Sequence, residues 1–393
     1  ATRTNCGSSL EVMDRRVIFA EKSFNSRGVD TGFVVSVILL LCLGLITLYA
    51  SSVSYATRAF DDSFYFVKRQ LISAGIGLFC LFIFSIIDLD FVRKVLPIIF
   101  IGTLVLCAMT FIPFIGVERN GARRWIKLPL LGTFQPSEVA KFSIILFLAN
   151  FFDKKHDVLK ESGFNIGQAV FGLFFTVLLV FLQDDFSTAF FIMIVGLSMF
   201  YIAGIKLGWF LGFCVFSLPI VILFIFTESY RVKRLIAFFN PEQYSHGVNY
   251  QINASQRAIS NGGILGEGFG SGLKKVTGIP EAQADFIFAG WAEAMGFLGV
   301  IIFFCLIIYF AFRGYKIAFR CEDKFRSFTV FGIITSIVLQ VLLNCGVVCG
   351  ALPATGIPLP FFSSGGSSLI ITLLMCGVVI NISKYNNMEL NNE

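Results

Sequence analysis

Apolar residues in this chain fall in long unbroken runs, not in the alternating or three-and-four spacing of a water-soluble element. The stretch "VVSVILLLCLGLITLYA", residues 34–50, is typical. A helix that crosses a bilayer needs about 20 predominantly apolar residues. Ten segments suit that length: about 32–54, 70–88, 95–115, 137–152, 165–182, 186–204, 207–228, 286–311, 327–350 and 366–382. The fourth is short, and the fifth to seventh are separated by very little. A membrane β-barrel would show alternating segments of about ten residues, and these runs do not alternate. The pattern predicts an all-α integral membrane protein, a bundle of about ten transmembrane helices.

Polar residues between the runs are unevenly spread. Three segments are long: 113–136, 229–285 and 351–366. In a ten-span arrangement all three lie on one side, with 229–285 as a large loop between spans seven and eight. The membrane domain then covers 32–382, flanked by a segment 1–31 and a tail 383–393. Loops of this length in a compact protein are functional or disordered, and their glycines, aromatics and mixed charges do not read as a disordered tract. The span centres hold almost no ionisable groups except Glu293, eight residues into span eight. A transporter would show several charges at mid-depth. Here the polar chemistry gathers at one interface, which suits a substrate with its head in water and its tail in lipid.

Composition agrees with the pattern. The 393 residues are 56% hydrophobic and 14% charged, with a mean hydropathy of +0.80. Soluble domains carry roughly a quarter charged residues. With a cytoplasmic N-terminus, the inside segments hold 17 Lys and Arg, the short outside loops seven and the long outside loop six. That distribution favours both termini inside. The first apolar run exceeds the h-region of a cleavable signal peptide, and Met13 suits a natural start better than the dozen residues before it. Eight of the ten cysteines fall inside apolar spans and read as small buried hydrophobes. Cys345 and Cys349 share a helix face, but no histidine stands near them to complete a metal site.

Each candidate for chemistry has a structural reading beside it. Asp285 stands where "PEAQAD" gives way to the apolar "FIFAGWAEAMGF", and aspartate there is either a helix N-cap or a base at the water–lipid boundary. In "QPSEVAK", 135–141, Pro136 and Glu138 suit a helix start, while Lys141 places a cation inside an apolar span with no evident structural need. "RNGARRW", 119–125, sets Arg123 and Arg124 beside Trp125, as a headgroup anchor or a phosphate grip. The glycines of 261–272 would let backbone approach a ligand. "SSGGSS", 363–368, is a turn before span ten or an anion-holding concavity. Glu293 needs a partner or a function.

Taken in order, "NGARRWIKL…FQPSEVAK", "QDDFSTA", "AISNGGILGEGFGSGLKK…IPEAQADFIFAGWAEAMGFLG" and "Q…NCGVVCGALPATGIPLPFFSSGGSSL" resemble the SEDS family of bacterial cell-wall polymerases, FtsW, RodA and SpoVE, across essentially the whole membrane domain. The "GSGLKK…IPEA" wording is closer to FtsW. The resemblance implies a glycosyltransferase that polymerises lipid II into glycan strands at the extracytoplasmic face, with release of undecaprenyl diphosphate. It places the essential aspartate at Asp285. Substrate and diphosphate binding would fall to Glu138 and Lys141, to Arg69 before span two, and to Arg123, Arg124, Lys274, Lys275 and Glu293. It implies a class B penicillin-binding transpeptidase and other division proteins as partners in the cytoplasmic membrane at the septum, with no nucleic acid. No cofactor is evident, although Mg2+ or Mn2+ would suit the diphosphate. The sequence departs from the family at Gln283-Ala284, where His-Thr is usual, at Ala294 after Glu293, at Asp184 and Ser187, and at Ser364, where tyrosine is usual. A lipid flippase and a non-catalytic scaffold for a transpeptidase are the competing readings.

The charge count generates a topology prediction. A cysteine at position 245 should react with an impermeant thiol reagent in intact cells, and one at position 327 should not. The opposite pattern of labelling reverses the orientation.

Overall fold

In the computed structural model, residues 28–119, 121–128, 132–161, 166–205, 226, 229–239, 249–268 and 283–389 are described. Six helices are long and apolar enough to cross a membrane: α1 (Thr31–Phe60), α2 (Tyr65–Ile86), α3 (Leu89–Met109), α9 (Ile287–Arg320), α10 (Lys324–Val348) and α11 (Gly366–Glu389). Two shorter apolar helices are α5 (Gly167–Leu182) and α6 (Phe186–Ile202), and α4 (Pro136–Glu161) is a longer, more polar one. Between them lie α7 (Ser229–Phe239) and α8 (Tyr250–Gly262). The expected seventh span, 207–228, falls outside the described residues apart from position 226.

Several helices run past the expected span ends. α1 continues to Phe60, α4 to Glu161 and α9 to Arg320, because these extensions leave the apolar layer and periodic apolarity no longer marks them. The helix starts have a common chemistry. Asp30, Asp88, Asp185 and Asp323 each accept a backbone N–H two or three residues on, which satisfies one of the donors a helix N-terminus leaves open. Asp30 also receives Arg313 of α9 at 2.9 and 2.6 Å, tying the first helix to the ninth. Asp153 of α4 pairs with Arg93 of α3, whose Nε also donates to Asn150 at 2.9 Å. That bond joins α3 to α4.

α10, α11 and the first half of α9 are largely buried, whereas α2 and α3 turn most of their surface outward. Ile98 at 73% and Phe82 at 61% exposure would be aggregation hazards in water. On a membrane helix they are the lipid face.

Two features depart from a plain helical bundle. Segment 113–136 was expected as an irregular loop, but it forms a three-stranded antiparallel sheet of β1 (Gly116–Arg119), β2 (Ala122–Leu128) and β3 (Gly132–Phe134) in the order β1-β2-β3. Its "NG" at 120–121 is a hairpin signal, and Gly121 turns at φ 76°.

The second departure is a break in α9. Gly296 has φ 62° and ψ −164°, a conformation open in practice only to glycine, so α9 is two half-helices. Backbone groups released by the break are taken up by the chain after α8. Phe297 N donates to Gly263 O at 2.9 Å, Leu298 N to Ile264 O at 3.2 Å, and Glu267 N to Glu293 O at 3.0 Å. Trp291 spans the break by donating Nε1–H to Gly299 O at 3.0 Å. The glycines at 262, 263 and 266, expected to approach a ligand, serve this backbone contact. A Cβ on Gly266 would stand 2.2 Å from Ala294 O.

Gly296→Ala tests the break. Its new Cβ would lie 2.3 Å from Gly266 N in a conformation alanine avoids. The variant should lose stability by at least about 1–3 kcal/mol, with faster amide exchange over 263–267. An unchanged melting temperature in detergent would show that the break is not held this way.

Candidate functional site

The strip 354–358, extended between α10 and α11, has a small cavity on each side. One, of about 40 Å3, is lined by Asp285, Arg234, Gln251, Asn344 and Thr355. The other, of about 50 Å3, is lined by Arg124, Gln135, Glu138, Lys141 and Asp185. Gly356 and Ile357 belong to both walls.

Two amides on one face of α10, a turn apart, build this arrangement. Gln340 accepts from Lys141 Nζ at 3.2 Å and donates to Pro358 O at 2.9 Å. Asn344 Nδ2 donates to Asp285 O and to Ile357 O, both at 2.8 Å. The side of the strip that faces α10 is therefore bonded to the same two residues that bond the candidate base and the candidate cation. Ser363 completes the anchoring, since its Oγ accepts from Leu359 N at 2.7 Å and donates to Ala284 O. Ser364 N donates to Gln283 O at 2.9 Å. "SSGGSS" is thus the turn that leads into α11, and its bonds hold the chain just before Asp285.

Asp285 is half-buried and stands one residue before the N-cap position of α9. The N-cap position is Phe286, with no side-chain cap bond. Gly356, at φ 70°, lies against its carboxylate, and a Cβ there would stand 3.4 Å from Oδ2. Arg234 reaches the same cavity from α7 and donates to Ala354 O at 3.0 Å.

Across the strip, Glu138 and Lys141 sit three residues apart on α4, with Nζ 2.7 Å from Oε2 and each only 4% exposed. The ammonium also lies 5.3 Å from the ring centre of Phe191. Lys141 therefore has a structural need after all, because it neutralises a buried carboxylate. On β2 a bulge decides which arginine enters: Trp125 lies opposite Val117 and Arg123 opposite Glu118, so Arg124 is the extra residue, and it lines this cavity with Trp125 while Arg123 and Lys127 are exposed. Arg124 meets Asp185 at 3.6 Å and donates to Asp184 O. Arg123 stays at the surface, 3.2 Å from Glu118. Gln135 donates to Asp185 at 2.9 Å and closes the wall.

The remaining expected residues are not brought to these cavities. Arg69 is held over Tyr65, 3.0 Å from its hydroxyl, with its guanidinium against Gly132 of β3. Glu293 is fully buried on the first half of α9 and lines neither cavity. Lys274 and Lys275 lie outside the described residues. Sequence reasoning missed Gln340, Asn344, Asp185, Gln135 and Arg234 as site residues. A faint signal existed for the first two, two amides four apart in an otherwise apolar span.

Among the described residues no three His, Cys, Asp or Glu side chains converge. Glu138 and Asp185 are each engaged by a cation of the chain, so a divalent cation in the second cavity would have to displace Lys141 or Arg124 to reach them.

A helical membrane bundle with a carboxylate and several cations beneath one extended strip defines a class, an integral membrane protein with a polar site at one end. Comparison with known proteins is more specific. The profile of the cell cycle protein family FtsW/RodA/SpoVE matches residues 31–388, and the chain belongs to that family. It is 37% identical over 358 residues to the probable peptidoglycan glycosyltransferase FtsW of Geobacter sp. (strain M18), covering 91% of this chain and 97% of that one. Stage V sporulation protein E of Bacillus subtilis is 36% identical over 357 residues, with 91% and 97% covered. In structure the chain resembles a component of a peptidoglycan synthase complex that coordinates polymerization and crosslinking, with a TM-score of 0.75 at 26% identity over 91% of this chain and 98% of that one. Thermus thermophilus rod shape determining protein RodA shares the fold, with a TM-score of 0.65 at 24% identity over 91% and 97%.

The buried pair generates a stability prediction. Lys141→Met strands a carboxylate in the interior and should cost about 3–5 kcal/mol. Adding Glu138→Gln removes that charge and should recover most of the loss. Equal melting temperatures for the single and double variants would show that the pair does not matter to the fold.

Proposed function

We propose that this protein is a peptidoglycan glycosyltransferase that polymerises lipid II into glycan strands and releases undecaprenyl diphosphate. Support comes from family membership, from relatives that bear that activity in their names, and from the chemistry available around the 354–358 strip. The observation that carries the reading is the position of Asp285, a half-buried carboxylate just before the N-cap position of α9, in a cavity it shares with Arg234.

The reaction is a single displacement, with inversion at the sugar carbon. A hydroxyl of the acceptor sugar attacks the carbon that carries the lipid diphosphate, the carbon–oxygen bond to the diphosphate breaks, and the hydroxyl proton passes to Asp285. A positioned base contributes about 10²–10⁴-fold to such a step. The departing diphosphate gains negative charge, which fixed cations stabilise best where water is excluded. Arg234 lines the same cavity as the base, and Arg124 and Lys141 line the other, beyond Gly356 and Ile357. Lys141 acts mainly through the buried pair it forms with Glu138. If Mg2+ or Mn2+ accompanies the diphosphate, it would supply further charge neutralisation there, held chiefly by the diphosphate's own oxygens.

In this reading ten spans cross the bacterial cytoplasmic membrane with both termini inside, so that 229–285 and the cavities face outward. The donor and acceptor then meet without either lipid leaving the bilayer. The related synthase complex supports a penicillin-binding partner, here a class B transpeptidase, and the likeness to FtsW supports work at the division septum. A flippase would not require the base.

Asp285→Asn separates these roles. Asn344 bonds the main-chain carbonyl of residue 285, so the change leaves that anchor intact and the melting temperature should hold. An amide cannot take the proton, and glycan synthesis from lipid II should fall by at least about 10²-fold. Full activity in a normally folded Asn variant would remove Asp285 as the base.

A further inference from the structure

Two residues that line the cavity beside Asp285 each carry a polar atom that the fold does not use. Asn344 Oδ1 and Thr355 Oγ1 are both buried, and neither has a hydrogen-bond partner among the described residues. Buried polar atoms in folded proteins are nearly always paired, so each such exception calls for an explanation. Asn344 is only 2% exposed. Its amide cannot be turned over to relieve the oxygen, because both hydrogens of Nδ2 are committed to the carbonyls of Asp285 and Ile357. Reversal would set an oxygen against two oxygens. Oδ1 is thus a fixed acceptor with no donor, and Thr355 Oγ1 is a hydroxyl free to rotate. Both residues line the cavity that Asp285 lines.

We propose that Asn344 Oδ1 and Thr355 Oγ1 form a hydroxyl-binding subsite beside Asp285 that takes a hydroxyl of the acceptor sugar. The assignment rests on the glycosyltransferase reading and adds to it the residues that position the acceptor. An alcohol is the group that meets both atoms. Its O–H donates to Oδ1, and its lone pairs accept from the threonine hydroxyl. A fixed carbonyl-type acceptor and a hydroxyl rotor would leave a carboxylate or phosphate poorly served, since an anion has no hydrogen for Oδ1. The cavity volume, about 40 Å3, admits a hydroxyl and not a whole sugar, so the ring would rest at the mouth near Gln251 and Arg234. Gly356 matters here as well, because its φ of 70° disfavours any side chain and a Cβ there would touch the Asp285 carboxylate. Asn344 then has two positioning duties at once. It holds the backbone of the base with its nitrogen and the acceptor with its oxygen.

Thr355→Val is the clean test, since it keeps the branched shape and exchanges for a methyl group a hydroxyl with no intramolecular bond to lose. A residue with a structural role would lower the melting temperature when changed. Here the temperature should stay level or rise, because an unpartnered buried hydroxyl is removed. Glycan synthesis from lipid II by the full-length protein should show an apparent KM raised about three- to tenfold, the size of one hydrogen bond, with kcat within about twofold. Thr355→Ser, which restores the hydroxyl without the methyl, should bring KM back. Wild-type KM in the Val variant would mean that only water occupies the cavity, and would overturn the subsite while leaving the glycosyltransferase reading intact. So would a Ser variant that fails to recover. A wild-type protein that makes no glycan from lipid II would overturn both.

Discussion

Backbone N–H and C=O groups inside a bilayer must find partners within the protein, because lipid offers none. Helices meet this demand by themselves, and an extended strip does not. The chain between α10 and α11 is such a strip, and the bundle tolerates it because α10 presents side-chain amides to it. Gln340 takes Pro358 O, Asn344 takes Ile357 O, and Ser363 takes Leu359 N. The same solution serves the break in α9, where residues 263–267 supply the missing partners. Of these two stretches, the strip forms a wall of both cavities and the break in α9 lines neither. Space that a helix would have filled beside the strip is left open as cavities.

Charge within the bundle follows a related rule. An isolated ion is expensive to bury, and a pair is tolerable when its geometry is good. Glu138 with Lys141 and Asp185 with Arg124 are such pairs, on neighbouring walls of one cavity. Their cations are held in place before any substrate arrives, so they need little reorganisation when a leaving group develops charge. Asp285 differs from these carboxylates. It is less buried, it stands one residue before the N-cap position of α9, and its surroundings include a cavity open enough to receive a hydroxyl.

The departures from the family's usual wording have a physical explanation. Gln283 and Ala284 replace His-Thr, yet what the fold takes from this pair is their main-chain oxygens, which accept from Ser364 N and Ser363 Oγ. Ser364 likewise contributes its main-chain N–H where tyrosine is usual. Backbone contacts survive side-chain exchange, so the approach to Asp285 is preserved. Phe361 shows the opposite dependence. It holds φ 67°, a conformation unfavourable for a bulky residue, and its carbonyl lies so near Gly44 that a Cβ there would stand 2.2 Å away. That close contact with α1 requires glycine.

The sequence by itself determined the class of protein, since long apolar runs with few charges permit only a helical membrane bundle, and nine of the ten expected runs are helices among the described residues. It also indicated where chemistry would gather, because the polar segments are long and few. It could not show β1 to β3, whose hairpin signal was hidden inside a charged segment, nor the break at Gly296, since a glycine in an apolar run looks the same whether or not the helix continues. Which arginine enters the site depended on the bulge at Arg124 in β2, and whether Lys141 was a spare cation depended on its contact with Glu138. Where α9 begins relative to Asp285 was also decided by the fold, which places the N-cap position at Phe286. Asn344 and Gln340 were visible as polar residues, but their partners are more than ten residues away along the chain, and at Lys141 nearly two hundred. Local spacing reports which face a side chain occupies, and only packing reports what stands opposite. The tertiary structure therefore decided which polar groups meet, and which were left with a bond still to make.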